Sequence, residues 1–456
     1  MRREMKLLFV LPEYLPQSGG GIITFYRMLL PELVRAGHQV KVLVGSGVVA
    51  EVARPPVLID GVSVELLDVT LLEAYKAKFA RYAAVPGLRR HLAAAWALRE
   101  QARNGEGFDP VESTDWGLLF LPWVIEDGPP ALVQLHGSCG QIDVNDPVAG
   151  EELQGELIRL LEIQALARAD GLQTYSDANA RAWTRQLGTD VACVLPAWKP
   201  LHAVPDPAPR SERGLVVGRV QNWKGPHVLC AALRLLGDRA PVIEWIGRDT
   251  RLGKRGVPTS DSLARAYPDI WNVRLIHRPQ LPPDQVANAQ AAAAFAVVPS
   301  TWDMFNLTAV EAMAAGTPVI CSTGAGASQL VSDGVNGFVF GSEDAAALAA
   351  AIERCLALTP DERAALTASA GQTIRDQLDP QANARLRAER YREIGVSRRA
   401  PAPSGDWLRR ACAPQDAPVT ELAFLDHLPW SPLARYVWHR ALERFHPNVR
   451  RPEGKL

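Results

Sequence analysis

One pattern constrains this chain more than any other, because it occurs twice. A short apolar run, a glycine-bearing loop, an amphipathic helical stretch and a second apolar run follow one another at the start of the chain and again after residue 213. The first copy reads Lys6–Leu11 as a strand, then a loop through Gly19, Gly20 and Gly21, a helix over 23–36 stopped by Gly37, and a strand over Gln39–Val44. A helix between two strands imposes parallel pairing, since only a crossover of about a dozen residues returns the chain in the same direction. Apolar runs at 63–67, 111–112, 131–135 and 171–175, with helical spans between them, extend this copy to a doubly wound parallel sheet.

Prolines at 196, 200, 205, 207 and 209 then break both helix and strand patterns and mark a linker. The second copy starts with a strand at 214–217 and a loop to Gly225. Pro226 opens its helix, and strands follow at 242–246, 273–276, 294–298, 319–321 and 337–340. Residues 344–357 and 360–394 read as closing helices, and 396–405 as a connector. The expectation is an α/β chain of two Rossmann-like, doubly wound parallel-sheet units, over 1–199 and 200–375. A closing or crossover helix over 376–400 and a helical extension over 401–456 complete it.

Charge and cysteine content narrow the function. In 456 residues, 49 Lys and Arg balance 50 Asp and Glu for a net charge of -1, so no long-range field draws in nucleic acid and any cationic site is local. Six widely spaced cysteines, with no CxxC pair and no histidine at metal-ligand spacing, support neither a disulfide framework nor a zinc site. The apolar run at 7–11 is too short for a signal peptide, and 291–298 falls far below the ~20 residues of a spanning helix. These features predict a cytoplasmic protein, at most peripheral to the inner face of a membrane. A dinucleotide is disfavoured as well. The strand at 39–44 runs into Gly45 with no carboxylate, and the second copy has Gly218-Arg219 where a glycine triplet is needed.

Two blocks carry chemistry. In Pro299 to Ile320, a strand ends at Val298, a polar loop follows, and an alanine-rich helix starts near Leu307 and stops at Gly316-Thr317-Pro318. The unpaired amides at such a helix start suit an anion, and Glu311, one turn inside, suits a vicinal diol. A ribose diphosphate presents both demands. In Val216 to Gly225, Arg219 and Lys224 flank a second helix start at a strand end, as a diphosphate clamp requires. Read singly, Glu311 is a solvated helix residue and the two cations are loop residues in water.

Taken together, Gly218-Arg219, Lys224-Gly225, and a carboxylate followed after seven residues by Glu311-Ala312-Met313-Ala314-x-Gly316-x-Pro318 resemble the retaining nucleotide-sugar glycosyltransferases of family 4, with the GT-B fold. Gly19-Gly20-Gly21, His136-Gly137 and Asp333-Gly334-x-Asn336-Gly337-Phe338 belong to the same resemblance, which spans most of residues 5–395. It implies two sheets facing a cleft and a nucleoside-diphosphate sugar as donor. Arg219 and Lys224 would neutralise the diphosphate and Glu311 would hold the ribose. His136 and the backbone of Asp303, Met304, Phe305, Asn306 and Leu307, with Thr308, would face the donor. Gly20 and Gly21 would let the first loop approach the phosphates or the acceptor. Arg278, after the strand at 273–276, is the candidate for contacting the base. No cofactor or metal is implied. Asp143 and Asp146 superficially resemble a metal motif, but capping or turn roles suit them better.

The chain departs from the family pattern at two positions. Asp303 stands where a longer glutamate is usual, and Asn306 replaces a glycine, although asparagine tolerates the same positive φ. Altered sugar selectivity follows, with a nucleotide-sugar-binding scaffold as the alternative and a phosphorylase or epimerase as a third reading. Trp198, Trp223 and Trp302 suit packing in the cleft wall. The acceptor is read as a glycan or a lipid-linked hydroxyl. Between Tyr75 and His91 aromatic residues alternate with cations, which suits either a lipid-linked acceptor at a membrane or a solvated helix face. In the tail, Trp430, Leu433, Val437, Ala441 and Phe445 form one helical stripe, expected to dock on the first unit, with membrane contact as the alternative.

Overall fold

The computed structural model describes residues 4–17, 20–145, 152–200, 211–252, 257–396, 406–416 and 430–445. Gly19, Asp146, the prolines at 205, 207 and 209 and the connector at 397–405 lie outside the described residues. In the first half, β1 (Lys6–Leu11), β2 (Gln39–Val44), β3 (Val57–Ile59), β4 (Val62–Leu66), β5 (Val111–Thr114), β6 (Ala131–Gln134), β7 (Gly171–Thr174) and β8 (Ala192–Cys193) form one sheet in the order β3-β4-β2-β1-β5-β6-β7-β8. Every pairing is parallel except the β3–β4 hairpin. Residues 7–11 are all buried, as a strand covered on both faces by helices requires.

The second half contains β9 (Gly214–Val217), β10 (Ile243–Ile246), a small hairpin of β11 (Arg251–Leu252) and β12 (Val257–Pro258), then β13 (Leu275–Arg278), β14 (Phe295–Val298), β15 (Val319–Ser322) and β16 (Phe338–Phe340). Its main sheet is ordered β13-β10-β9-β14-β15-β16. Strand order reverses between β1 and β5 in one half and between β9 and β14 in the other. Crevices for ligands open at such switch points, beyond the carboxyl ends of the strands. The two halves share a core. One buried cluster runs from Leu7 and Phe9 through Tyr175 to Phe305, Ala309, Val310 and Met313.

The closing segment differs from the single helix read at 360–394. Thr359 and Glu362 form a capping box for Pro360–Gln377, and a second helix, Pro380–Val396, starts after Asp379, whose carboxylate accepts from Ala382 N at 2.7 Å. Proline has no N–H to continue the first helix, so the chain breaks there. The helix Pro380–Val396 returns to the first half, where Arg387 is fully buried. Its Nη1 lies 3.2 Å from Glu112 Oε1 and its Nη2 donates to Gln134 at 2.7 Å. Tyr391 and Tyr26 also donate to Glu112, at 2.6 and 2.8 Å. A buried ion pair offsets its desolvation best when its remaining hydrogen-bonding capacity is met; here two tyrosines and a glutamine meet part of it, and Arg387 Nε has no partner among the described residues.

Two surface expectations are corrected. Tyr75, Phe79, Arg81 and Tyr82 form no surface patch because they are buried, whereas Lys76, Lys78 and Arg89 are partly exposed and Arg90 is exposed; the neighbouring His91 is nearly buried. Burial lowers the His91 imidazole to about 4, with nearby Arg90 acting in the same direction. Arg81 donates to the carbonyls of Ala411 and Ala413 at 2.6 and 2.7 Å, closing the end of the helix Trp407–Cys412. Leu408 and Cys412 of that helix are fully buried, Arg409 Nε donates to Glu126 at 2.8 Å, and Arg168 pairs with Asp406. The tail therefore packs on the first half through 406–416. In the helix Trp430–Phe445, by contrast, Trp430 and Val437 of the expected docking stripe are 70% and 60% exposed.

Candidate active site

In the second half, the loop after β9 contains Arg219, then a short turn at Asn222–Lys224, and Gly225 in the left-handed region at φ 70° before the helix Pro226–Leu236. A Cβ on Gly225 would lie 1.9 Å from the Pro299 carbonyl oxygen, so only glycine lets the loops after β9 and β14 touch. That contact has a chemical result. Lys224 Nζ and Asp303 Oδ2 form a short ion pair with little solvent on either side. Asn306, at φ 78°, donates to the same Asp303 oxygen at 3.0 Å, and its own side-chain oxygen accepts from Thr308. The two departures from the family pattern act as one unit: Asp303 meets the lysine, and Asn306 holds the aspartate while supplying the positive φ.

Asn306 starts the helix Leu307–Ala314, and Glu311 lies one turn in. Burial raises the Glu311 carboxyl above its usual range, against the hydrogen bond from Gln290 Nε2 at 3.2 Å. Gln290 is in turn fixed by Thr317, whose hydroxyl donates to its carbonyl at 2.6 Å. Arg219 is exposed, within electrostatic reach of Glu13. Met304 and Phe305 turn their side chains into the core, and the Phe305 carbonyl accepts from Ala327 N at 2.6 Å. Met304 O also accepts from Asn179 Nδ2 at 3.1 Å, which ties the loop to the first half. Trp223 and Trp302 stack at 4.7 Å, and a Cβ on Gly137 would lie 3.7 Å from the Trp302 ring.

The first half presents His136 at the end of β6, inside a ring of Phe25, Tyr26 and Tyr175. The Tyr175 hydroxyl lies 2.9 Å from its Nδ1. Burial, with nearby Arg387, lowers this imidazole well below its usual range, so it is neutral at pH 7. Two buried carboxylates hold the loop that follows. Asp115 accepts from His136 N and Gly137 N at 2.9 and 3.2 Å, and Glu162 accepts from Gly140 N at 2.9 Å. At the β1 switch point, Glu13 takes the backbone amides of Gly20 and Ile23 at the start of the helix Gly21–Arg35. Burial raises this carboxyl, while those amides and Arg219 across the cleft pull it down.

Five of the expected residues thus come together, namely Lys224, Asp303, Asn306, Thr308 and Glu311, while Arg219 lies near Glu13 and His136 stands at the end of β6. Arg278 does not join them. It lies on the edge strand β13 rather than in a loop, and pairs with Glu244 at 3.3 Å. Asp143 lies within the helix Cys139–Asn145 rather than at a turn or cap. Asp115, Glu162, Tyr175 and Glu13 are additional. Asp115 and Glu13 were findable as carboxylates just past the strand ends nearest a switch point, whereas nothing local marks Glu162.

Family models agree with this geometry. Residues 211–357 match the model described as glycosyl transferases group 1, and residues 20–198 the glycosyl transferase 4-like domain. The D-inositol 3-phosphate glycosyltransferase of Actinosynnema mirum is 30% identical over 302 residues, covering 60% of this chain and 70% of that protein. The protein of the same name from Nocardiopsis dassonvillei is 31% identical, covering 60% and 68%. Among solved structures, sucrose-phosphate synthase from Thermosynechococcus elongatus shares the fold at TM-score 0.62 and 20% identity, over 87% of this chain and all of that one. HepE of Anabaena, solved with UDP and glucose, does so at 0.59 and 16%, over 86% of this chain and all of that one. With its two facing parallel sheets, its paired motifs after β9 and β14 and these matches, the chain belongs to the group 1 glycosyltransferases of family 4 and has the GT-B fold.

Proposed function

We propose that this protein transfers a hexose from a nucleoside-diphosphate sugar to a hydroxyl acceptor, a glycan or lipid-linked alcohol, with retention at the anomeric carbon and without a metal. The observation that carries the reading is the cluster of Lys224, Asp303, Asn306 and Glu311 at the start of the helix Leu307–Ala314, with Arg219 beside it. Two cations and a helix start aimed at one place stabilise the charge that develops on a departing diphosphate. In the step itself the bond from the anomeric carbon to phosphate oxygen breaks and the acceptor oxygen bonds to the same face. The acceptor proton passes to the leaving phosphate. The neutral His136 serves as a hydrogen-bonding partner of the donor sugar.

Proton NMR of the protein with UDP-, GDP- and ADP-sugars tests this directly. Turnover with an α-configured product from an α-configured donor is expected. Binding without turnover, with acceptors present, would instead favour a scaffold.

The protein is read as cytoplasmic. No helix of the described residues is long and apolar enough to cross a membrane. Exposed Trp430, Val437 and Trp438, with Arg435 and Arg444, support peripheral contact of the tail helix with an anionic membrane. Liposome flotation of the full chain against residues 1–429, which keep the packed helix Trp407–Cys412, decides, and equal flotation ends that idea.

A further inference from the structure

Arg387, fully buried on the helix Pro380–Val396, faces both oxygens of Glu112 at 3.2 and 3.3 Å and donates to Gln134 at 2.7 Å. Replacing a buried ion pair by apolar side chains of similar volume is often neutral or stabilising, so stability does not account for this pair, and its surroundings point elsewhere. Gln134 ends β6 two residues before His136, and alternate residues of an extended segment share a face. The guanidinium lies 4.7 Å over the ring of Phe25, a cation–π contact. Phe25 in turn meets the imidazole of His136 at 5.5 Å and the ring of Tyr175 at 5.0 Å, both edge-on. Tyr26 packs on His136 at 5.5 Å and donates to the Glu112 carboxylate at 2.8 Å. Two of the three aromatic rings around His136 thus touch Arg387 or its counter-ion.

We propose that Arg387 is a positioning residue for His136: reaching in from the helix Pro380–Val396, it fixes the strand end and the rings that hold the imidazole and sets a positive charge near it. The inference rests on the sugar-transfer reading, in which His136 hydrogen-bonds the donor sugar, and says what keeps that histidine a neutral partner. Arginine suits the task because its guanidinium never releases its proton and its planar fork grips Gln134 and Glu112 at once. A proton on the imidazole would be desolvated and also repelled; burial and Arg387, in that order, hold His136 below its usual range. The other titratable groups that face the ring act differently. Burial keeps the hydroxyls of Tyr26 and Tyr175 protonated far above neutrality. Glu112 is taken up by Arg387 and two tyrosines. Asp115, which burial raises to about 7, meets the backbone N–H of His136 rather than its ring.

NMR of the full chain with isotope-labelled histidine tests the proposal by following the His136 signal with pH, the signal being identified by its loss in His136→Gln. A nearby charge moves a titration by about 1–3 pH units, so Arg387→Met is expected to raise the His136 midpoint by about one unit or more. The acid limb of kcat/KM is expected to rise with it. Arg387→Lys keeps the charge and is expected to hold the midpoint near that of wild type. Glu112→Gln removes the opposing charge and is expected to leave the midpoint unraised. A merely structural role would loosen the packing in all three variants and raise the midpoint in all three. If Arg387→Met does not fold, Arg387→Met with Glu112→Gln, which strands no charge, takes its place with the same rise expected. Asp115→Asn separates the titration of Asp115 from that of His136. A midpoint that stays put without Arg387, or that rises alike in the Lys and Gln variants, overturns the proposal. The titration needs no donor, so the two readings fail separately. Turnover with a His136 midpoint insensitive to Arg387 ends the positioning role alone, whereas a midpoint that follows Arg387 with no nucleotide-sugar turnover ends the transferase reading alone.

Discussion

The two halves of the cleft place opposite charges at matching points of the same topology. Beyond its switch-point strands the second half has Arg219 and Lys224, and the first half has Glu13 and Asp115. Lys224 pairs with Asp303 close to the start of the helix Leu307–Ala314, and Arg219 is exposed. The carboxylates are turned inward onto backbone amides and shape loops. A net charge of -1 does not register this difference in placement. One fold used twice therefore does not imply one use of its strand ends.

The comparison breaks most visibly if the cations are removed. A preorganised charge donor is worth about a hundred- to thousandfold in kcat. Arg219→Ala and Lys224→Ala are each expected to lose that much, and together more than either alone, measured by NDP release with the best donor of the panel. Unchanged kcat in both would mean that the second half does not stabilise the leaving group. Next in size is the seam between the halves. Removing one partner of a buried ion pair costs about 3–5 kcal/mol, so Arg387→Ala should lower the urea midpoint steeply. Arg387→Met combined with Glu112→Leu should recover part of that loss, since the second substitution removes the stranded carboxylate.

The inward carboxylates predict a pH effect that the cations lack. Burial raises Asp115 from 3.8 to about 7 and Glu162 from 4.5 to about 8. The folded protein then holds protons that the unfolded chain has already released. The resulting stability is complete below the unfolded values near pH 4 and is lost as pH rises through 7 and 8. Thermal melts should show a decline for wild type over this window that is flatter in Asp115→Asn with Glu162→Gln; parallel curves would count against the burial argument. The smallest expected effect is at Glu311. Losing a charged hydrogen bond of about 1.5 kcal/mol raises donor KM about tenfold, so Glu311→Ala should shift KM and leave kcat nearly intact.

Much of the fold was legible because it is local. Alternation of strand and helix, glycine stops and the proline at 226 locate nearly every strand of both sheets within two residues. The Lys224–Asp303–Asn306 cluster was legible for the same reason, since Lys224 precedes a helix start and Asp303 to Glu311 lie within one loop and two helical turns. Legibility failed where side chains meet across long separations. Arg81 looked like part of an exposed cationic stripe until Ala411, 330 residues away, covered it. Glu162 looks like any helical glutamate, and only its position under Gly140 removes it from water.

The sequence by itself therefore determined the class of fold and the family motifs, because short-range spacing and backbone propensity fix these. Tertiary structure alone decided which charges are buried and which remain at the surface. Burial is a property of the whole packed chain: it set the protonation of Asp115 and Glu162, placed Arg387 against Glu112, and turned an aromatic stripe into a docking site for the helix Trp407–Cys412.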